Sequence, residues 1–261
     1  MTENQIQTLI QSSGLGSIGD IWYGRRLPCV DFCSRLATDI DPSDASRLGG
    51  PYLATPGFAP PRYEDVEMDF VCQIACSDVS SVAPHLSGHL LFFAPAQAVS
   101  DGHDVAAVVH IEASSELVPF TPSPGYYFRQ VACILSPSAS CSLPSPMDTF
   151  QSPDTQPWHE LDDALRSKFL SNYSATTRIP GDPYGYSLHR FMGHPDPIQY
   201  DWRPFLRRIT NPGDWISLLA IYDDRAAEVG YGDTGCLYFW IERARFERGD
   251  FTNIRACIQT C

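Results

Sequence analysis

Apolar residues recur along the chain at two spacings, and each spacing predicts a different kind of element. Near the amino terminus, Thr2 and Gln5 form a capping-box pair, Ile6, Leu9 and Ile10 fall on one helical face, and Gly14 stands where helices commonly end. A short amphipathic helix is expected there. The runs Phe70 to Ala75, Leu90 to Ala94, Val105 to Ile111 and Tyr126 to Leu135 are short, apolar, and bounded by turn formers, which predicts strands. Trp158, Leu161, Leu165 and Phe169 return to helical spacing, with Glu160, Asp162 and Asp163 early and Arg166 and Lys168 late, as the helix dipole favours. Strands follow at Trp215 to Tyr222, Leu237 to Ile241 and Ile254 to Gln259. Between the last two, Glu242 to Arg248 predicts one or two helical turns, supported by Arg243 against Glu247 and ended by Gly249.

Two stretches resist regular structure. Asp41 to Tyr63 is dense in Pro and Gly, which deny it long helices and central strands. Ser136 to Pro157 is rich in Ser and Pro and predicts a connector without an apolar face.

An internal repeat organises these elements. Gly88-His89-Leu90-Leu91-Phe92-Phe93 and Gly235-Cys236-Leu237-Tyr238-Phe239-Trp240 share Gly, any, Leu, apolar, Phe, aromatic. Fifteen residues before each glycine lies another apolar strand, at Gln73 and at Ala220, and each half has a lead-in, Gly49-Gly50-Pro51 or Gly193-His194-Pro195. Neither half has enough strands to cover its own apolar face, so the two should pack on a shared core. The expected fold is mainly β, a β-rich α+β single domain over residues 1–261. It has an internally duplicated β unit at 47–135 and 187–261, a connector and mid-chain helix at 136–186, and an amino-terminal helix.

The segments Ser46 to Pro61, Asp69 to Ile74, Leu188 to Asp201 and Tyr231 to Gln259 resemble the YwqG-like proteins of bacteria, a domain of unknown function. Met192-Gly193-His194-Pro195-Asp196-Pro197-Ile198-Gln199 and Gly232 to Ile241 carry the resemblance most specifically. Two positions depart from the family pattern: Ala59 stands where it has Trp, and Ala220 where it has Gln. The resemblance implies a mainly β, internally duplicated fold and brings no established reaction. It also implies an immunity-like or antitoxin-like role.

Composition narrows the classes of function. With 18 basic and 31 acidic residues the net charge is −13, which opposes nucleic-acid backbones and anionic membranes and suits either solubility through self-repulsion, the better sole explanation, or a basic protein partner. Neither a signal peptide nor a membrane-spanning run is expected, and nine cysteines without an expected export signal fit reduced thiols in the cytoplasm. The pairs Cys29/Cys33, Cys72/Cys76 and Cys257/Cys261 are wider than the CxxC of zinc ribbons and read as buried thiols, so neither a metal nor another cofactor is expected.

Several constellations are candidate chemistry. His194, Asp196 and Gln199 sit on a proline-stiffened loop, suited either to positioning functional groups or to satisfying nearby backbone. Asp223, Asp224 and Glu228 cluster in a loop that suits a cation, a basic partner or solvent. Asp233-Thr234-Gly235 matches the aspartic-protease tripeptide, but the repeat puts Leu86 where a second aspartate would stand, which favours a turn. Gly14 to Gly19 spells GxGxxG after a helix instead of a strand, which favours a post-helix turn over a phosphate cradle. Trp202, Arg203, Phe205, Arg207 and Arg208 read as a helical turn pairing with nearby acids.

The leading expectation is a cytosolic protein-interaction module binding a basic effector through His194, Asp196, Gln199, Asp223, Asp224 and Asp233. The alternative is a hydrolase or small-molecule enzyme using His194 and Asp196 in a groove between the halves. Oligomeric state is left open by the sequence.

Overall fold

The structure, a computed structural model, describes residues 1–123, 131–145, 161–177, 188–199 and 214–260. Its first element is α1 (Glu3–Ser13), closed by the capping box between Thr2 and Gln5 and stopped at Gly14, which adopts a left-handed φ of 74°. A second helix, α2 (Ser17–Gly24), follows at once, so the GxGxxG stretch is the joint between two helices.

One ten-stranded antiparallel sheet dominates the protein. Its strands are β1 (Leu27–Leu36), β2 (Arg47–Leu48), β6 (Asp69–Ala75), β7 (His89–Ala94), β8 (Ala107–Ile111), β10 (Cys133–Ser142), β11 (His189–Phe191), β12 (Trp215–Tyr222), β13 (Gly235–Glu242) and β14 (Arg255–Thr260). Their order is β14-β13-β12-β11-β1-β10-β2-β6-β7-β8. Two small ribbons complete the β structure: β3 (Tyr52–Ala54) with β9 (Val118–Phe120), and β4 (Arg62–Tyr63) with β5 (Val66–Glu67).

The central pair, β1 with β10, departs most from expectation. Ten residues of each run in register from Leu27↔Ser142 to Leu36↔Cys133. The segment from Ser136 to Ser142 is therefore strand where a connector is expected. Pro137 is tolerated because β2 covers only Cys133 and Ile134, so farther along the second edge of β10 no ladder bond to β2 is lost. Similarly, the Pro- and Gly-rich stretch at 41–63 does contain an inner strand, but it is only the two residues of β2. Residues 126–130 of the fourth expected strand lie outside the described residues.

Alternate residues of all ten strands meet in one core. Val30, Phe32, Leu48, Ile74, Leu90, Phe92, Leu135, Phe191, Leu219, Leu237, Phe239 and Ala256 all belong to it, and the rings of Phe92 and Phe239 meet edge to face at 5.2 Å. The sheet thus curves until it is nearly closed. At the seam, a helical turn α3 (Ala96–Ser100) packs against β14, and Arg255 pairs with Asp104 at 3.6 Å. The opposite faces of β7 and β13 are also buried. Leu91 and Phe93 lie under Tyr52 and Phe120, while Cys236, Tyr238 and Trp240 join Trp215 and Tyr222. Burial on both faces explains why these strands read as unbroken apolar runs.

The two flanks share several details. In the β6–β7 pair the register shifts between Phe70 and Cys72, and in the β12–β13 pair it shifts between Ser217 and Leu219. The carbonyls of the intervening residues, Val71 and Leu218, accept the N–H of Gly49 and of Met192, both at 3.0 Å. Gly49 and Met192 both have left-handed φ, 61° and 59°. Cys76 N–H donates to the Gly88 carbonyl at 2.9 Å, as Asp223 N–H does to that of Gly235 at 3.0 Å.

The mid-chain helix, α4 (Asp163–Thr177), begins after Trp158 and Glu160, which lie outside the described residues. Phe169 and Tyr173 pack with Ile6, Leu9, Ile10 and Trp22 in a separate cluster. The last helical turn, α5 (Arg243–Phe246), is supported by Arg245 paired with Glu242 and Asp250; the expected pair was Arg243 with Glu247. Among the described residues no helix is long and apolar enough to cross a membrane.

Candidate functional site

The loop after β11 is rigid because nearly every turn of it is tied to another element. Met192 and Gly193 are left-handed, with φ of 59° and 83°. A Cβ on Gly193 would lie 2.5 Å from Ser142 Oγ and 2.8 Å from Cys29 Cβ, so only glycine lets the loop lie this close to β1 and β10. His194 N–H donates to Ser142 Oγ at 2.8 Å, and its ring Nε2 donates to the Arg25 carbonyl at 2.7 Å. Burial pushes the imidazole down to about 4, against the opposing pull of that carbonyl. Half-buried Asp196 has its carboxyl raised by burial, with the Ser145 hydroxyl and Arg190 opposing, and its carbonyl accepts from the Tyr238 hydroxyl at 2.5 Å. Gln259 Oε1 accepts Ile198 N–H at 2.8 Å, just as Gln73 Oε1 accepts Leu53 N–H at 2.8 Å in the other flank. Exposed Gln199 lines a cavity of about 290 Å³ at the seam, with His103 and Asp104.

The acidic loop is also engaged internally. Asp223 accepts from Tyr231 N–H at 2.7 Å and Gly235 N–H at 3.0 Å. His189 Nδ1 accepts Tyr222 N–H at 3.2 Å, which leaves its Nε2 as the donor to Asp224 Oδ2 at 2.9 Å. Asp224 also accepts Ala227 N–H at 3.0 Å. Burial would raise its carboxyl, but the bond and charge of His189, with the Ser34 hydroxyl and Ala227 N–H, together outweigh it and hold the carboxyl at about 2. Asp233 is exposed, and Glu228 occupies a left-handed turn position with φ of 53°. Among the described residues no hydrogen bond joins His194 or Asp196 to Asp223 or Asp233. The patch from Trp202 to Arg208 and Cys261 lie outside them. The described residues hold no grouping of three or more His, Cys, Asp or Glu arranged for a metal ion.

Two arrangements are absent from the sequence reading. One is a buried ionic centre in which Arg190 Nε donates to Asp31 Oδ1 at 2.8 Å, with the Met1 amine 3.4 Å from Oδ2. Tyr173 and Tyr222 also lie within range of the guanidinium. The other is a cavity of about 570 Å³ between the β4–β5 ribbon and α3. Among the described residues its charged lining is Glu64, Glu67, Asp69 and Asp101, with no Lys or Arg, and Val66, Met68, Pro95 and Ala96 supply apolar surface. Tyr63 and His103 stand in one wall, with the hydroxyl 3.1 Å from Nδ1. The sequence signal for it was the acidic alternation Glu64, Asp65, Glu67, Asp69.

A family model described as Domain of unknown function (DUF1963) matches residues 46–261. The chain belongs to this family. No curated protein matches it. The DUF1963 match contains the whole acidic cavity and the His194 loop. It begins at Ser46, after β1, so Arg190 takes its carboxylate partner from a strand outside the matched region.

Proposed function

We propose that this DUF1963 protein is a cytosolic binding module for a basic protein partner and that its His194 loop is scaffold. The carrying observation is how the candidate catalytic groups are engaged. The imidazole of His194, both oxygens of Asp223 and both oxygens of Asp224 bond the protein's own backbone or His189. Donation from Nε2 to the Arg25 carbonyl leaves the ring's lone pair on Nδ1, and among the described residues no hydrogen bond brings Asp223 or Asp233 to that ring to complete a catalytic group. The net charge of −13 supports attraction to a basic partner.

Affinity capture with the tagged full chain, compared with capture by a variant of lower negative charge, tests this reading. The expected result is a partner of high pI that is lost as salt rises. Turnover of a generic ester, phosphoester or peptide substrate that disappears in a folded His194→Gln variant would overturn it.

We further infer that β2, β6, β7 and β8 on one flank and β11 to β14 on the other are copies of one unit. The matched register shifts, the paired Gly49 and Met192 bonds and the equivalent roles of Gln73 and Gln259 support this. We also propose that the chain falls with the YwqG-like proteins within its family, a reading supported by the segments Ser46 to Pro61, Asp69 to Ile74, Leu188 to Asp201 and Tyr231 to Gln259.

A further inference from the structure

We propose that the cavity between the β4–β5 ribbon and α3 receives a short extended segment of a protein partner carrying Lys or Arg side chains. This inference rests on the binding-module reading and gives it a place and a ligand.

The chemistry of the lining selects the occupant. Four acids line the cavity, and among the described residues no Lys or Arg does. Three of the four have local partners: Asp69 Oδ2 accepts Ala96 N–H at 3.2 Å, Asp101 Oδ1 accepts the Gln97 amide at 3.0 Å, and the Glu64 carboxylate meets the Tyr63 hydroxyl. Glu67 is different. It is half-buried, and no hydrogen bond or ion pair joins its carboxylate to any described residue. A carboxylate withdrawn partly from water without a partner is unfavourable unless a cation reaches it.

The apolar part of the lining argues against a bare metal ion or a fully hydrated cation. Met68, Pro95 and Ala96 offer surface to a methylene stem, Val66 stands 68% exposed at the lip, and the Tyr63 ring offers a face to a cationic head. A stem ending in an ammonium or guanidinium meets both requirements. A volume of about 570 Å³ lies within the range of ligand pockets and accommodates more than one side chain, which favours a peptide segment over a single amino acid.

The test is fluorescence anisotropy of labelled tetra-arginine and tetra-lysine peptides on the full chain, at low salt of about 50 mM. Glu67→Gln with Asp101→Asn should weaken binding about tenfold, whereas Asp233→Asn with Glu247→Gln, an equal charge change elsewhere, should weaken it less than about twofold. Val66→Lys, an exposed change that leaves the core untouched, should also weaken binding about tenfold by placing a like charge at the lip. Equal losses from the two acidic pairs would overturn the cavity while leaving the binding-module reading intact. Spermidine binding as tightly as the peptides would overturn the peptide segment in favour of a free polyamine. Failure of both peptides while affinity capture still recovers a basic protein would overturn the cavity alone, and failure of both experiments would overturn the two readings together.

Discussion

Arg190 Nε lies 2.8 Å from Asp31 Oδ1, so one charged pair ties β11 to β1 at the register step where the two residues face each other. Both side chains are more than nine-tenths buried. Burial alone would raise the Asp31 carboxyl, but Arg190 beside it outweighs burial and holds it below its ordinary value. Removing one partner leaves an uncompensated buried charge, so Asp31→Asn should destabilise the fold by about 3 kcal/mol. The double change Asp31→Leu with Arg190→Met should recover part of that loss. Urea midpoints of Asp31→Leu, Arg190→Met and the double variant decide it, and a double variant as unstable as the sum of the two single losses would show that the charges do not act as a pair. Because the folded carboxyl is the stronger acid, its contribution is complete above the unfolded value of about 4 and is lost as pH falls further. Asp31→Asn should therefore flatten the acid limb below about pH 4.

His194 makes a separate pH prediction in a different window. Its folded imidazole takes a proton only near 4, whereas in an unfolded chain it does so near its ordinary value of about 6.5. Between those values the unfolded chain binds more protons, so stability is complete above about pH 6.5 and falls as pH drops toward the folded value. The amplitude is up to about 3 kcal/mol. In His194→Gln the slope of urea midpoint against pH between those limits should flatten, and an unchanged slope would refute the burial of this ring.

The fold was legible where local pattern and final environment agree. Gly88 to Phe93 and Gly235 to Trp240 announce themselves because both faces of β7 and β13 are buried, which leaves no polar alternation to confuse the reading. β1 was hidden by Asp31, a charge inside a buried stretch, whose partner lies 159 residues away. The second half of β10 was hidden by the exposed Ser and Pro residues beyond Leu135. The same limit governs the site. The stiffness of the His194 loop follows from its prolines and Gly193, but the bond from its ring goes to the carbonyl of Arg25, and a backbone acceptor leaves no mark in a sequence. The acidic cavity depends on the β6–β7 turn returning α3 to the β4–β5 ribbon, a tertiary juxtaposition that local charge spacing does not encode.

Asp223 separates a structural from a functional role for the acidic loop. Its two oxygens accept two different backbone donors, Tyr231 N–H and Gly235 N–H. An asparagine there has to point its amide N–H groups at one of those donors, so Asp223→Asn should cost about 1–3 kcal/mol. Exposed Asp233 should tolerate the same change within about 0.5 kcal/mol. Thermal or urea unfolding of the two variants gives the answer. Equal, small effects would indicate that Asp223 does not hold the loop.

Gly88 tests the turn that launches the aromatic strand β7. Its φ is +82°, and a Cβ placed on it would stand 2.0 Å from the Ile111 carbonyl oxygen and 2.7 Å from Ala113 N, both backbone atoms that move only with the edge strand. Gly57 also has a left-handed φ, +77°, but an added Cβ there meets nothing within 4 Å. Gly57→Ala therefore carries only the backbone strain of an L-residue in that region, about 1–2 kcal/mol. Gly88→Ala adds a backbone clash to the same strain and should lose about 3 kcal/mol or more, with the edge pairing of β7 to β8 loosened first. Hydrogen exchange at Val109 and Ile111 reads that loosening directly. Matching losses in the two variants, with exchange at β8 unchanged, would mean that the close approach of the turn to Ile111 does not constrain the strand.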